Sequence, residues 1–151
     1  MNKIVPNLWF DHNAKEAVNY YISIFKDGKI LSISYYPTEG LQDFQKDFVG
    51  KELTINFEIF GQSFVAINAG SEFKFSEAIS FCIPCFGQDE IDYYWEALTK
   101  DGGEESMCGW LKDKYGLSWQ VVPENMEELM QNSPHSFANM MQMKKIIIAD
   151  L

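Results

Sequence analysis

Positive charge is scarce in this chain. Twelve lysines and arginines stand against 22 acids, for a net charge of −10. Such a surface repels phosphate backbones, so nucleic acid is not an expected partner; the charge serves solubility instead. Long apolar runs are missing too. None approaches the roughly 20 residues a membrane span needs, so no membrane partner is expected. The opening segment, MNKIVPNLWF, has no apolar core of a leader and no small-residue cleavage site, so no secretory signal is expected. Cysteine is limited to Cys82, Cys85 and Cys108, an odd number that fits a reduced, cytoplasmic setting. There is no G-x-G-x-x-G loop, no second C-x-x-C, no low-complexity segment and no Pro/Ser-rich linker. What is abundant is large side chains. Of 151 residues 46% are hydrophobic and 15% aromatic, enough to bury a core in one domain or in two small halves that share one.

The chain also repeats itself. Asn7 to Phe25, NLWFDHNAKEAVNYYISIF, reads as a short strand, a polar break and an amphipathic helix. A fainter copy follows in FGQDEIDYYWEALTKDGG. Tyr-Tyr follows an amide or acid in both, as Asn19-Tyr20-Tyr21 and Asp92-Tyr93-Tyr94. Both end in Lys-Asp-Gly, at Lys26-Asp27-Gly28 and Lys100-Asp101-Gly102, with one extra residue in the second copy. Such doubling marks one supersecondary unit used twice.

Taken in order, Ile4 to Phe10 is a first strand. Asn13 with Glu16 fits a helix N-cap, and Ala14, Ala17, Val18, Tyr21, Ile22 and Phe25 form the apolar stripe. KILSISYYP, Lys29 to Pro37, is β-prone, and Thr38 to Val49 is a polar loop. Glu52 to Phe60 alternates, Gly61-Gln62 signals a hairpin, and Ser63 to Asn68 returns. Ile79 to Cys85 is a strand, and Gln88 to Thr99 a helix with Ile91, Tyr94, Trp95 and Leu98 inward. Glu104 to Trp110 is a weak strand, a turn spans Asp113 to Gly116, and Leu117 to Val122 closes the set before Pro123. Glu124 to Asn132 and Phe137 to Ile147 look helical. The expectation is an α+β fold of two βαβββ modules whose curved mixed sheets enclose a cleft for a small molecule. Module one covers about 1–70 and module two about 76–123, with a C-terminal helical tail at 124–151, all in a single domain.

NLWFDHNAKEAVNYYISIF, NAGSEFKFSEAISF and CGWLKDKYGLSWQVVP together resemble the PhnB-like family, also known as the 3-demethylubiquinone-9 3-methyltransferase domain. It lies within the vicinal oxygen chelate superfamily of glyoxalases, bleomycin-resistance proteins and dioxygenases. The block at Trp110, Asp113, Gly116, Ser118, Trp119 and Gln120 carries the most specific part. The resemblance implies the paired βαβββ fold and a homodimer. It also implies divalent-metal positions on the inner strands, which fall near Asn7, Asn68 and Gln120. Amides without carboxylate or imidazole bind metal weakly, so a metal cofactor is possible but not favoured. Methyl transfer from S-adenosylmethionine lacks its usual Gly-rich loop here.

Cys82-Ile-Pro-Cys85 is a C-x-x-C on a predicted strand, where residues three apart face opposite ways, so ordinary structural cysteines are expected. Cys108 has no activating neighbour in sequence. His12 and His135 could each act as a general base, against the commoner solvent-facing histidine. Trp95 reads as core. Trp9 shares a strand face with Asn7, which suits either core packing or an apolar pocket with one orienting amide. Ser118 and Gln120 share a face of the last strand, and inward polar groups there need partners. The loop from Asn68 to Phe75, through Gly70, could cover a cleft mouth. The ligand-binding candidates are Asn7, Trp9, Asn68, Gly70, Trp110, Ser118 and Gln120. The expected role is small-molecule binding without an assigned reaction. A metal-assisted lyase or isomerase acting on a small carbonyl substrate, and a methyltransferase, are the alternatives.

Overall fold

A computed structural model describes residues 2–151. The chain divides into two compact units, Met1–Lys74 and Phe75–Leu151. The first holds β1 (Asn7–Asp11), α1 (Ala14–Ile24), β2 (Lys29–Tyr35), β3 (Glu52–Ile59) and β4 (Gln62–Ala69). Its sheet runs β1-β4-β3-β2. β1 and β4 are parallel, and the other pairs antiparallel. The second holds β5 (Phe81–Cys85), α2 (Gly87–Thr99), β6 (Glu104–Glu105), β7 (Trp110–Lys112) and β8 (Ser118–Pro123). Its sheet runs β5-β8-β7-β6, again with the outer pair β5–β8 parallel and the rest antiparallel. The fold is α+β, and the two units share one βαβββ topology.

Alternation in the strands explains how each unit builds its core. In the first, Leu8, Phe10, Ile55, Phe57, Phe64 and Ala66 are buried, and α1 adds Ala17, Val18 and Tyr21. The Tyr21 ring lies parallel to Phe57 with centroids 6.4 Å apart. In the second, Ile83, Cys85, Leu111, Trp119 and Val121 are buried, together with Ile91, Tyr94, Trp95 and Leu98 of α2. Each such large apolar side chain is worth about 1.5–3 kcal/mol when fully buried. The repeated tyrosines now have a reason. The second of each pair, Tyr21 or Tyr94, is core, while Tyr93 lies outside and Tyr20 is half-buried. The extra residue of the second copy falls before Lys100, within α2, which runs on to Thr99 where α1 ends at Ile24. Gly103 sits so close to the end of α2 that a Cβ there would lie 2.6 Å from the Leu98 carbonyl oxygen. Asp101 and Gly102, both at positive φ, make the detour that brings it there.

Several boundaries differ from expectation. The hairpin turn is Phe60-Gly61, not Gly61-Gln62; both residues have positive φ (52° and 73°), the left-handed pair a two-residue hairpin turn needs. Residues 38–49 are not loop alone: Asp43–Phe48 forms a 3-10 helix. Glu104 to Trp110 is not one strand. Cys108 and Gly109 take positive φ and split it into β6 and β7. Asn13 stands at the N-cap position, but its side chain makes no capping bond, and its Oδ1 is buried without a partner.

The C-terminal segment is less helical than expected. α3 covers Met126–Gln131 and α4 Ser136–Met141, so helix ends six residues before Ile147. Competing hydrogen bonds stop it. The Met143 and Lys144 carbonyls accept from Cys108 N–H (2.7 Å) and Gly109 N–H (2.8 Å). The Gln88 amide brackets the next turn, donating to Ile146 O (2.9 Å) and accepting from Ile148 N–H (2.8 Å). Ile146 is fully buried. Among the described residues no helix is long and apolar enough to cross a membrane.

Candidate functional site

A cavity of about 390 Å³ opens in the first unit where β1 and β4 end, within the roughly 300–1,000 Å³ typical of ligand pockets. Trp9 and Ile67, register partners across the β1–β4 ladder, line it. So do Tyr36, after β2, and Phe44 and Phe48 of the 3-10 helix. The rim is polar, with His12, Gln45, Asp47, Ser71 and Glu72.

The walls are fixed by hydrogen bonds and ring contacts. The Trp9 indole N–H donates to Gly70 O (2.9 Å), and its ring meets Phe73 edge-on at 4.8 Å. The Tyr36 hydroxyl donates to Asn68 O (2.6 Å). Burial, and then the negative field of Glu72, push that hydroxyl above the usual tyrosine range. Phe48 is buried between the His12 ring, stacked at 4.6 Å, and Tyr36 at 4.8 Å. His12 takes a left-handed backbone conformation (φ 61°), and its N–H bonds Ala69 O at 2.9 Å. Its Nδ1 lies 2.6 Å from Asp11 Oδ1.

The candidates read from sequence separate into groups. Trp9 and Gly70 come together in this cavity. Trp110 and Ser118 come together in a smaller one of about 160 Å³ in the second unit, with Glu77, Glu104, Glu105 and Lys112. There Lys112 pairs with Glu77, and the buried Ser118 Oγ has no hydrogen-bond partner. Asn7, Asn68 and Gln120 line neither cavity. Asn7 is exposed and donates to Val5 O (3.0 Å). Asn68 lies on the helix-facing side with its register partner Phe10. Its Oδ1 accepts from Ala14 N–H (3.2 Å), and its Nδ2 donates to Glu52 O (2.9 Å). It therefore performs the helix-capping task expected of Asn13. Gln120 donates to Ser80 Oγ (2.9 Å).

The remaining reactive residues have structural places. Trp95 is core, with its indole N–H on Glu105 (2.7 Å). Cys82 is exposed and Cys85 buried, on opposite faces as strand geometry requires. Burial, with Glu90 and Cys82 nearby, pushes the Cys85 thiol up to about 12, the reverse of an activated nucleophile. Cys108 is half-buried, and His135 precedes α4. Sequence reasoning missed most of the cavity wall: Tyr36, Phe44, Phe48, Leu53 and Glu72. The one available signal was Phe44 and Phe48, four residues apart in an otherwise polar stretch.

Comparison with known proteins bears on this site. The model of the 3-demethylubiquinone-9 3-methyltransferase family matches residues 2–122. The chain belongs to this family. A PhnB protein from Bacillus cereus is 33% identical over 80% of this chain and 99% of its own, with a TM-score of 0.68. Protein PA1353 from Pseudomonas aeruginosa is 19% identical, covering 82% and 98%, with a TM-score of 0.65. The fosfomycin resistance protein FosX from Listeria monocytogenes, complexed with Mn(II) and sulfate, is 13% identical, covering 87% and 96%, with a TM-score of 0.54. The last two share the fold, that of the vicinal oxygen chelate superfamily. No curated protein matches the chain.

The superfamily's metal does not fit the residues present. Asn68 has both amide atoms engaged beneath the sheet, Asn7 and Asn68 take opposite sides of their sheet, and the Gln120 amide holds Ser80. Among the described residues no group of three or more His, Cys, Asp or Glu side chains could hold a metal ion.

Proposed function

We propose that this family member binds a small, partly apolar molecule in the cavity bounded by Trp9, Tyr36, Phe48 and Gly70. The observation that carries the proposal is the cavity itself. It has ligand-sized volume, aromatic walls held in place by hydrogen bonds, and a few polar groups at its rim. Rigid aromatic walls offer a large contact area at low conformational cost. Binding and sequestration need nothing more.

The test is a fragment screen followed by amide and indole NMR signals of the full chain. Ligands should shift the Trp9 indole N–H and the Gly70 amide first, and Leu53→Trp, which fills the cavity, should abolish those shifts. Fragments that bind only elsewhere, or that bind Leu53→Trp unchanged, refute the proposal. The family's description raises methyl transfer as a second reading. Calorimetric titration with S-adenosylmethionine decides it, and no saturable binding is expected, because no Gly-rich loop follows a parallel strand.

A further inference from the structure

We infer that the ligand of this cavity is an organic cation carrying a substituted ammonium group. The inference rests on the cavity being the ligand site, and it adds the ligand's charge. Four aromatic side chains, Trp9, Tyr36, Phe44 and Phe48, and two carboxylates, Asp47 and Glu72, line the space. No lysine lines it, and the chain contains no arginine. Neither Asp47 nor Glu72 makes an ion pair or hydrogen bond among the described residues. Glu72 folds back over Gly70 at the cavity rim: a Cβ on Gly70 would lie 2.6 Å from its Oε2. The carbonyl of that same glycine holds the Trp9 indole. Uncompensated carboxylates beside aromatic rings attract a cation twice over, by Coulomb attraction and through the ring quadrupoles.

The chemistry also selects the kind of cation. A hard metal ion would need six or more oxygens or a clustered donor set, and aromatic walls provide none. A substituted ammonium is weakly hydrated, fills volume and needs no lone-pair donors, so aromatic rings can replace its water. The excess of acidic over basic residues across the chain steers such a ligand inward at low ionic strength. An anionic ligand would meet two carboxylates and no lysine or arginine.

The experiment compares choline with its uncharged isostere 3,3-dimethylbutan-1-ol on the full-length protein, following the Trp9 indole N–H and Gly70 amide signals. Choline should bind at least about fivefold more tightly, and salt should weaken it alone. Glu72→Gln should cost choline about two- to fivefold in affinity at low salt and leave the alcohol unchanged; Asp47→Asn should act in the same direction. Glu72 is exposed, so its amide variant keeps the fold. The inference is overturned if the alcohol binds as well as choline, if Glu72→Gln leaves choline affinity unchanged, or if choline moves neither signal. The cavity remains the ligand site in each case so long as neutral fragments still shift Trp9 and Gly70. It falls only if they do not.

Discussion

Replacing Asn68 with alanine tests whether that amide holds the first unit together. The side chain is 5% exposed and joins two elements, capping the start of α1 at Ala14 N–H and holding β3 at Glu52 O. Ala14 is fully buried, so its N–H would lose its acceptor with no water in reach. Orphaning a buried donor costs about 1–3 kcal/mol, and losing the half-buried bond to Glu52 about 1 more. The bond from Tyr36 survives, because it goes to the Asn68 backbone. The expected loss is therefore about 2–4 kcal/mol, seen as a lower urea midpoint with an unchanged m-value. For a chain of this length a 3 kcal/mol loss lowers Tm by about 6–12 °C. Asn68→Asp should fall in between. It keeps an acceptor for Ala14 and places a negative charge at a helix N-terminus, but it has no donor for Glu52. A loss below about 1 kcal/mol for the alanine variant, or reduced ligand binding at unchanged stability, would refute this account and return Asn68 to the binding site.

Asp113 should matter as much in the second unit. Its buried carboxylate accepts from Tyr115 N–H, Leu117 N–H and the Trp119 indole, so Asp113→Ala should cost about 3 kcal/mol or more in denaturant unfolding. Ser118→Ala should be neutral or stabilise by up to about 1 kcal/mol, because the hydroxyl it removes is buried without a partner; a clear loss of stability would mean that a water or ligand satisfies Oγ. The fourth prediction is a pH effect on the C-terminal segment. Hydrogen bonds from Gln88 and then Lys145 hold Asp92 below its ordinary 3.8, so its contribution is present above about that pH and is lost as pH falls through the lowered folded value. Amide exchange at Gly109, whose N–H bonds Lys144 O, should accelerate there, and Asp92→Asn should remove that acid dependence.

The fold was legible because apolar periodicity and the Tyr-Tyr repeat both report burial, and burial is what the two units share. Tyr21 and Tyr94, Ala17 and Ile91, and the alternating Ile55, Phe57 and Ile59 all fell on the core side. The cavity was legible only at Trp9 and Gly70, because its remaining wall is assembled from segments with no periodicity. Tyr36 follows a strand, Phe44 and Phe48 lie in one 3-10 helix, and Glu72 lies in a loop. Asn68 shows the limit most clearly. A polar residue late in a strand suggests a ligand contact in one dimension, but an N-cap bond can be supplied from 54 residues away. The backbone N–H of Ala14 needs an acceptor from somewhere, and the local rule named its neighbour. Asn13 had the right residue type and position, yet the acceptor came from across the sheet. Local propensity therefore located the helix start, and tertiary packing decided which amide would serve it. Glu72 and Asp47 make no such structural bond among the described residues, which is why the proposed cation site rests on them.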